Sequence, residues 1–131
     1  MNSKQVICID FDGTCVSHEF PEVGVDIGAV PVLQKLVNAG HKLVLFTMRS
    51  NNYDRNYLDE AVTWFSDNEI PLYGIQPNPK QSEWTSSPKA YGQLYIDDAA
   101  LGCPLNYSAK IARPFVDWNK VEQILKYRGL L

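Results

Sequence analysis

No apolar run in this chain approaches the roughly 20 residues needed to span a bilayer. The first residues, Met-Asn-Ser-Lys-Gln, lead straight into a strand-like run, without the apolar stretch of a secretory signal. No cluster of Lys and Arg exceeds a few residues and the net charge is −3, which argues against a broad basic surface for nucleic acid. Cysteine is scarce. The three residues, Cys8, Cys15 and Cys103, are odd in number and lack metal-ligand spacing, a usage that fits a reducing cytosol. Cys8 reads as a small buried hydrophobe within a strand. Histidine is limited to His18 and His41, and neither has ligand or nucleophile partners at a telling spacing, so both read as surface or packing residues. These absences predict a cytoplasmic protein with no membrane segment. Its 131 residues make one domain, 1–131, long enough for a real core and too short for two. Hydrophobic content of 45% with 21% charged residues is ordinary for a globular chain.

What is present begins at residues 6–14, Val-Ile-Cys-Ile-Asp-Phe-Asp-Gly-Thr. A short apolar run ends in two carboxylates one residue apart, followed by a glycine turn. Side chains alternate along a strand, so Asp10 and Asp12 leave this one on the same side. Like charges that close are unfavourable unless a cation or a shared proton offsets them. A second acidic pair, Asp97-Asp98, ends the apolar run Leu94-Tyr95-Ile96. Two strands that each deliver carboxylates at their C-terminal ends suggest a divalent-metal site in an α/β protein.

The element order supports that class. A strand is predicted near Val6–Ile9. A helix follows over about 31–39, with Leu33, Leu36 and Val37 at helical spacing and Gly40 just past its end. Leu43-Val44-Leu45-Phe46 is apolar on both faces, as a central parallel strand requires. Leu58, Ala61, Val62 and Phe65 form the stripe of a second helix, stopped by Ile70-Pro71. A short strand is predicted near 72–75 and another at Leu94–Ile96. The last helix has Asp117 as its N-cap, buries Trp118, Val121 and Leu125, and ends at Gly129. The alternation predicts a three-layer, Rossmann-like α/β fold with a mainly parallel sheet and right-handed crossovers. Ligands then bind beyond the carboxyl ends of the strands, where Asp10, Asp12, Thr47 and Asp97 converge. Two irregular stretches are left: 17–28, read as a small hairpin, and 77–88, rich in Pro and Ser and long enough to suggest function or mobility.

These residues resemble the haloacid dehalogenase superfamily of phosphohydrolases, in order along nearly the whole chain. Asp10-Phe-Asp12-Gly-Thr14 is similar to its first motif, and Phe46-Thr47 to its second. Lys89 is the candidate for the third, with Lys80 competing in the same loop, and Asp97-Asp98 looks like the fourth. The resemblance implies that Asp10 and Asp97 bind Mg²⁺ by side chain and Asp12 by its backbone carbonyl. Asp10 would be the nucleophile of an aspartyl-phosphate mechanism. The Asp12 side chain would then protonate the leaving alkoxide and later activate water. Thr47 and Lys89 would hold the phosphoryl oxygens. Arg49 could meet a substrate anion or pair at the surface, and Trp84 reads as a loop anchor.

The superfamily often carries a cap domain between its motifs. Here the interval from Asp12 to Thr47 is filled by the short hairpin and one helix. The interval from Thr47 to Lys89 is filled by a helix, a strand and the 77–88 loop. The expectation is a capless phosphomonoester hydrolase whose phosphorylated substrate is unidentified. A small substrate would call for shielding by a neighbouring subunit, and hence a homo-oligomer. Alternatives on the same scaffold are a phosphotransferase or a non-catalytic phosphate- or metal-binding module. A receiver domain fits poorly, because the third strand leads into Gln76-Pro77-Asn78 and offers no aspartate.

Overall fold

Four short strands carry the sheet in a computed structural model that describes residues 3–131. They are β1 (Val6–Ile9), β2 (Lys42–Leu45), β3 (Gly74–Ile75) and β4 (Leu94–Ile96). They run parallel in the order β3-β2-β1-β4. Ile7 lies beside Leu43 and Leu94, and Cys8 beside Val44 and Tyr95, so both faces of the sheet are apolar.

The helices α1 (Ala29–Asn38), α2 (Tyr57–Asp67) and α3 (Trp118–Tyr127) follow the predicted stripes. All three join one core with Ile7, Ile9, Leu43, Leu45 and Ile96. Topology explains the shared face. The crossovers β1-α1-β2 and β2-α2-β3 step the same way along the sheet, so right-handed connections place both helices on one side. The return from β3 across to β4 must then use the other side.

That return contains no α-helix. The second face of Cys8, Val44, Phe46, Tyr73 and Tyr95 is covered by Ala90 and its neighbours. The third layer is therefore irregular chain with one 3₁₀ turn, Gln81–Glu83. A single buried side chain organises it. Gln81 accepts hydrogen bonds from the backbone of Asn78 (2.9 Å) and Tyr91 (2.8 Å), and donates to the carbonyls of Ser87 (3.1 Å) and Lys89 (3.0 Å). One residue thereby satisfies backbone groups that a buried loop would otherwise orphan.

Other segments depart from expectation. The stretch 17–28 folds back through an isolated bridge between Val16 and Asp26 rather than a hairpin ladder. The strand expected near 72–75 shortens to β3. An antiparallel hairpin, β5 (Leu105–Ser108) and β6 (Ile111–Val116), was not anticipated. Its strands are mostly exposed and contain Pro114, so they carry neither a buried alternation nor a clean strand signal. Asp117 caps α3 as expected, accepting from the Lys120 N–H at 3.1 Å, and Gly129 closes it with φ +76°. Among the described residues no helix is long and apolar enough to cross a membrane.

Candidate functional site

The sheet reverses its direction of travel between β1 and β4, and the carboxylates stand at the ends of those two strands. The Asp10 N–H bonds the Ile96 carbonyl at 3.1 Å, which fixes the two chain ends side by side. Asp10, Asp97 and Asp98 thereby bring carboxylate oxygens within 4.8 Å of one another. Burial, then the charges of Asp97 and Asp98, push the Asp10 carboxyl up to about 8, against a hydrogen bond from Thr14 that favours the anion. Burial and Asp98 also raise Asp97.

Thr14 ties the trio together. Its hydroxyl lies 2.8 Å from Asp10 Oδ2 and 3.3 Å from Asp98 Oδ1, and accepts from the Asp98 N–H at 3.0 Å. Gly13 makes the approach feasible. It sits at φ +82°, and a Cβ there would collide with the Asp98 carboxylate. Three carboxylates this close, all oxygen donors, could hold a hard divalent cation such as Mg²⁺. The trio includes Asp98, and the Asp12 side chain is not part of it.

Asp12 has a different neighbour. Arg49 grips it with two parallel bonds, Nε to Oδ2 at 2.9 Å and Nη2 to Oδ1 at 2.8 Å. The side chains are 1% and 12% exposed for Arg49 and Asp12, so this is an interior pair rather than a substrate or surface contact. The guanidinium is completed by the carbonyls of Tyr57 (3.2 Å) and Glu22 (3.0 Å) and lies 5.1 Å from the ring centroids of both Phe11 and Phe20. Phe11, between the two aspartates, turns into the core against Trp64 and Phe65. Its burial anchors the motif while the carboxylates face the cleft.

Thr47 lines the same cleft. Its hydroxyl oxygen accepts from the Arg49 N–H at 3.1 Å, which leaves its proton available to a ligand. Gln76, just after β3, clamps the backbone: Oε1 accepts from the Thr47 N–H (3.0 Å), and Nε2 donates to the carbonyls of Thr47 (2.8 Å) and Arg49 (3.2 Å). The cleft has a volume of ≈480 Å³, and its far wall is Arg113 of β6 with His18. Neither Gln76 nor Arg113 carries a sequence signal, because Gln76 reaches the Thr47 backbone, and Arg113 the cleft, through tertiary contact alone.

Lys89 is not brought to this cleft. It precedes β4, on the face covered by the irregular layer, and its Nζ lies 5.6 Å from the centroid of the Tyr95 ring, in a separate hollow with Trp84 and Tyr91. Lys80 is also absent from the cleft lining. Cys15 is fully buried with its thiol 3.3 Å from the Asp10 carbonyl, and burial followed by the nearby aspartates raises it well above the usual thiol range. It is not a thiolate nucleophile. His41 is a packing residue: Nδ1 accepts from the Gln5 N–H (3.0 Å) and Nε2 faces the Leu130 carbonyl (2.9 Å).

No family model matches the chain, and no curated protein matches it. The chain is similar to a solved structure, that of a conserved protein encoded by a Bacteroides thetaiotaomicron locus. The two agree with a TM-score of 0.77 at 28% identity, over 96% of this chain and 93% of the other. The α/β architecture with a parallel four-stranded sheet is thus shared by a protein of nearly the same extent.

Proposed function

We propose that this protein is a Mg²⁺-dependent phosphomonoester hydrolase that works through an aspartyl-phosphate on Asp10. The observation that carries the reading is the trio Asp10, Asp97 and Asp98 at the switch point of the sheet, with Thr47 across the cleft. Three half-buried carboxylates held this close repel one another when ionised, and that favours a cation that offsets them. Mg²⁺ bound there would neutralise carboxylate charge and accept phosphoryl oxygens.

Asp10 supplies the attacking oxygen. Its bond to phosphorus forms as the bond to the leaving alkoxide breaks, and water later opens the acyl phosphate. Thr47 donates its free hydroxyl proton to a phosphoryl oxygen, and Gln76 keeps the Thr47 backbone in place. Asp12 is the candidate proton donor to the alkoxide. Both its oxygens accept from Arg49, so before it could act as an acid it would have to take up a proton at an oxygen that the guanidinium now holds.

The same clamp favours a second reading, a module that binds metal or phosphate and keeps Asp12 paired throughout. A calorimetric Mg²⁺ titration combined with turnover of p-nitrophenyl phosphate separates the two. The wild type is expected to bind Mg²⁺ and hydrolyse the ester, and Asp97→Ala to lose both. Mg²⁺ binding without turnover of any phosphate ester selects the binding module, and unchanged Mg²⁺ affinity in Asp97→Ala removes the metal assignment.

A further inference from the structure

We propose that Arg113, on the β5–β6 hairpin, is the cation that binds the transferring phosphoryl group, and that His18 positions it. The inference rests on the hydrolase reading above and names the residue that completes its site.

The charges lining the cleft set the problem. Asp10, Asp97 and Asp98 stand on its floor, and Mg²⁺ would offset only two of their charges. A phosphate monoester adds up to two more negative charges. Two arginines line the cleft, Arg49 and Arg113. Both oxygens of Asp12 already engage Arg49, which is 2% exposed and cannot turn outward without leaving a buried carboxylate unpaired. Lys89 and Lys80 lie elsewhere. Among the described residues Arg113 makes no ion pair, so its charge is uncommitted.

The polar contact that Arg113 makes among the described residues suits this duty. Its Nη1 lies 3.3 Å from His18 Nδ1. A guanidinium only donates, so Nδ1 must be the acceptor and the ring is the tautomer with its proton on Nε2. A neutral acceptor aims the guanidinium without neutralising it, and the remaining donors of its fork are left for an oxyanion.

Both residues are held against the acidic floor. The Val116 N–H bonds the Gly13 carbonyl at 3.0 Å, which docks β6 onto the loop that follows β1. A Cβ at Gly13 would lie 3.4 Å from His18 Cδ2 and would strike Asp98. The absent side chain at one glycine therefore gives room to the acidic floor and to the imidazole that aims Arg113.

The test is calorimetric binding of inorganic phosphate in the presence of Mg²⁺, with p-nitrophenyl phosphate turnover read on the same preparations. The wild type is expected to bind phosphate. Arg113→Ala should weaken that binding about ten- to a hundredfold, as for loss of a charged hydrogen bond. Its Mg²⁺ affinity should be unchanged, which shows the site intact. Arg113→Lys should recover part of the loss, and Lys89→Ala should lose nothing. His18→Ala should weaken phosphate less than Arg113→Ala, and His18→Asn should restore it, because the amide oxygen can replace Nδ1 as acceptor.

Wild-type phosphate affinity in Arg113→Ala, with the wild type itself binding phosphate, overturns the assignment and leaves the hydrolase reading standing. The same result accompanied by weaker ester turnover would place Arg113 on another part of the substrate, which also overturns it. No phosphate binding and no turnover by the wild type overturns both.

Discussion

Asp10 and Asp12 leave the same strand two positions apart and point into the same cleft, yet their surroundings are opposite. Asp10 sits among carboxylates with only a hydroxyl to ease it, and its carboxyl is raised to about 8. Asp12 is held at both oxygens by a buried guanidinium. The pair teaches that spacing in a motif sets where carboxylates point, and that long-range neighbours set what each one can do. Asp10 is left short of positive charge, which suits a metal ligand and nucleophile. Asp12 is fully compensated, so a proton must take the place of one of these bonds before it can serve as an acid.

The largest expected effect comes from exchanging each carboxylate for its amide. Asp10→Asn should reduce p-nitrophenyl phosphate turnover to the uncatalysed level, because no aspartyl-phosphate can form. Asp12→Asn should still transfer the phosphoryl group from this activated ester, whose leaving group needs little proton help, and then stall. The expected trace is a burst of about one p-nitrophenol per site followed by a steady state about 10²–10⁴-fold slower than wild type. Full steady-state turnover in either variant would break the division of duties.

Removing the compensation should be felt in stability. Arg49→Met leaves the Asp12 carboxylate buried and unpaired, for which about 3–5 kcal/mol is expected in a denaturant titration. Adding Asp12→Asn to that variant should return most of the loss. If the single variant is as stable as wild type, the pair is not the interior clamp described here.

A smaller effect is expected in the pH dependence of stability, and it belongs to Asp10. Between the ordinary carboxyl value of 3.8 and about 8, the folded protein keeps a proton that the unfolded chain has lost. This stabilising contribution is fully present below about pH 4 and is lost as pH rises through about 8. Metal-free melting temperature should therefore fall across that window from this group. Asp10→Asn should flatten the fall, and saturating Mg²⁺ should oppose it by binding the ionised carboxylates. A metal-free melting temperature that rises between pH 5 and 8, with no change in Asp10→Asn, would contradict the assignment.

The smallest effect is a control on the comparison. Lys89 lies over Tyr95 away from the cleft, so Lys89→Ala should leave p-nitrophenyl phosphate turnover within about twofold of wild type, as for an ordinary surface change. A large loss of turnover would bring Lys89 back to the phosphate.

Much of the frame was legible before the fold. Val6–Ile9, Leu43-Val44-Leu45-Phe46 and Leu94–Ile96 announce themselves as strands because a parallel sheet buried on both faces demands apolar runs. The second lies one residue earlier in the structure, at Lys42–Leu45. Helices reveal themselves through stripes and caps such as Asp117. The positions of Asp10, Asp12, Thr47 and Asp97 at strand ends follow from those runs, and so does their meeting at one edge of a parallel sheet. The third layer was not legible as a layer. It is ordered by one glutamine that satisfies backbone groups scattered from Asn78 to Tyr91, and such bonds leave no periodic trace.

The basic wall of the cleft was hidden for a related reason. The β5–β6 ribbon is largely exposed, so no alternation of buried and polar residues marks it, and Arg113 looks like any surface arginine. Lys89 looked like the phosphate ligand because it precedes the last acidic strand, but chain order does not say on which side of the sheet a residue lies. The sequence by itself determined the sheet, the helices and the convergence of the aspartates, because these follow from local periodicity and strand direction. Only the tertiary structure decided that Arg49 pairs with Asp12, that Asp98 joins the acidic trio and that Arg113 faces it. The contacts behind these placements join Arg49 to Asp12, Asp98 to Thr14 and Arg113 to His18, residues 37, 84 and 95 positions apart, and no local rule of chain geometry encodes them.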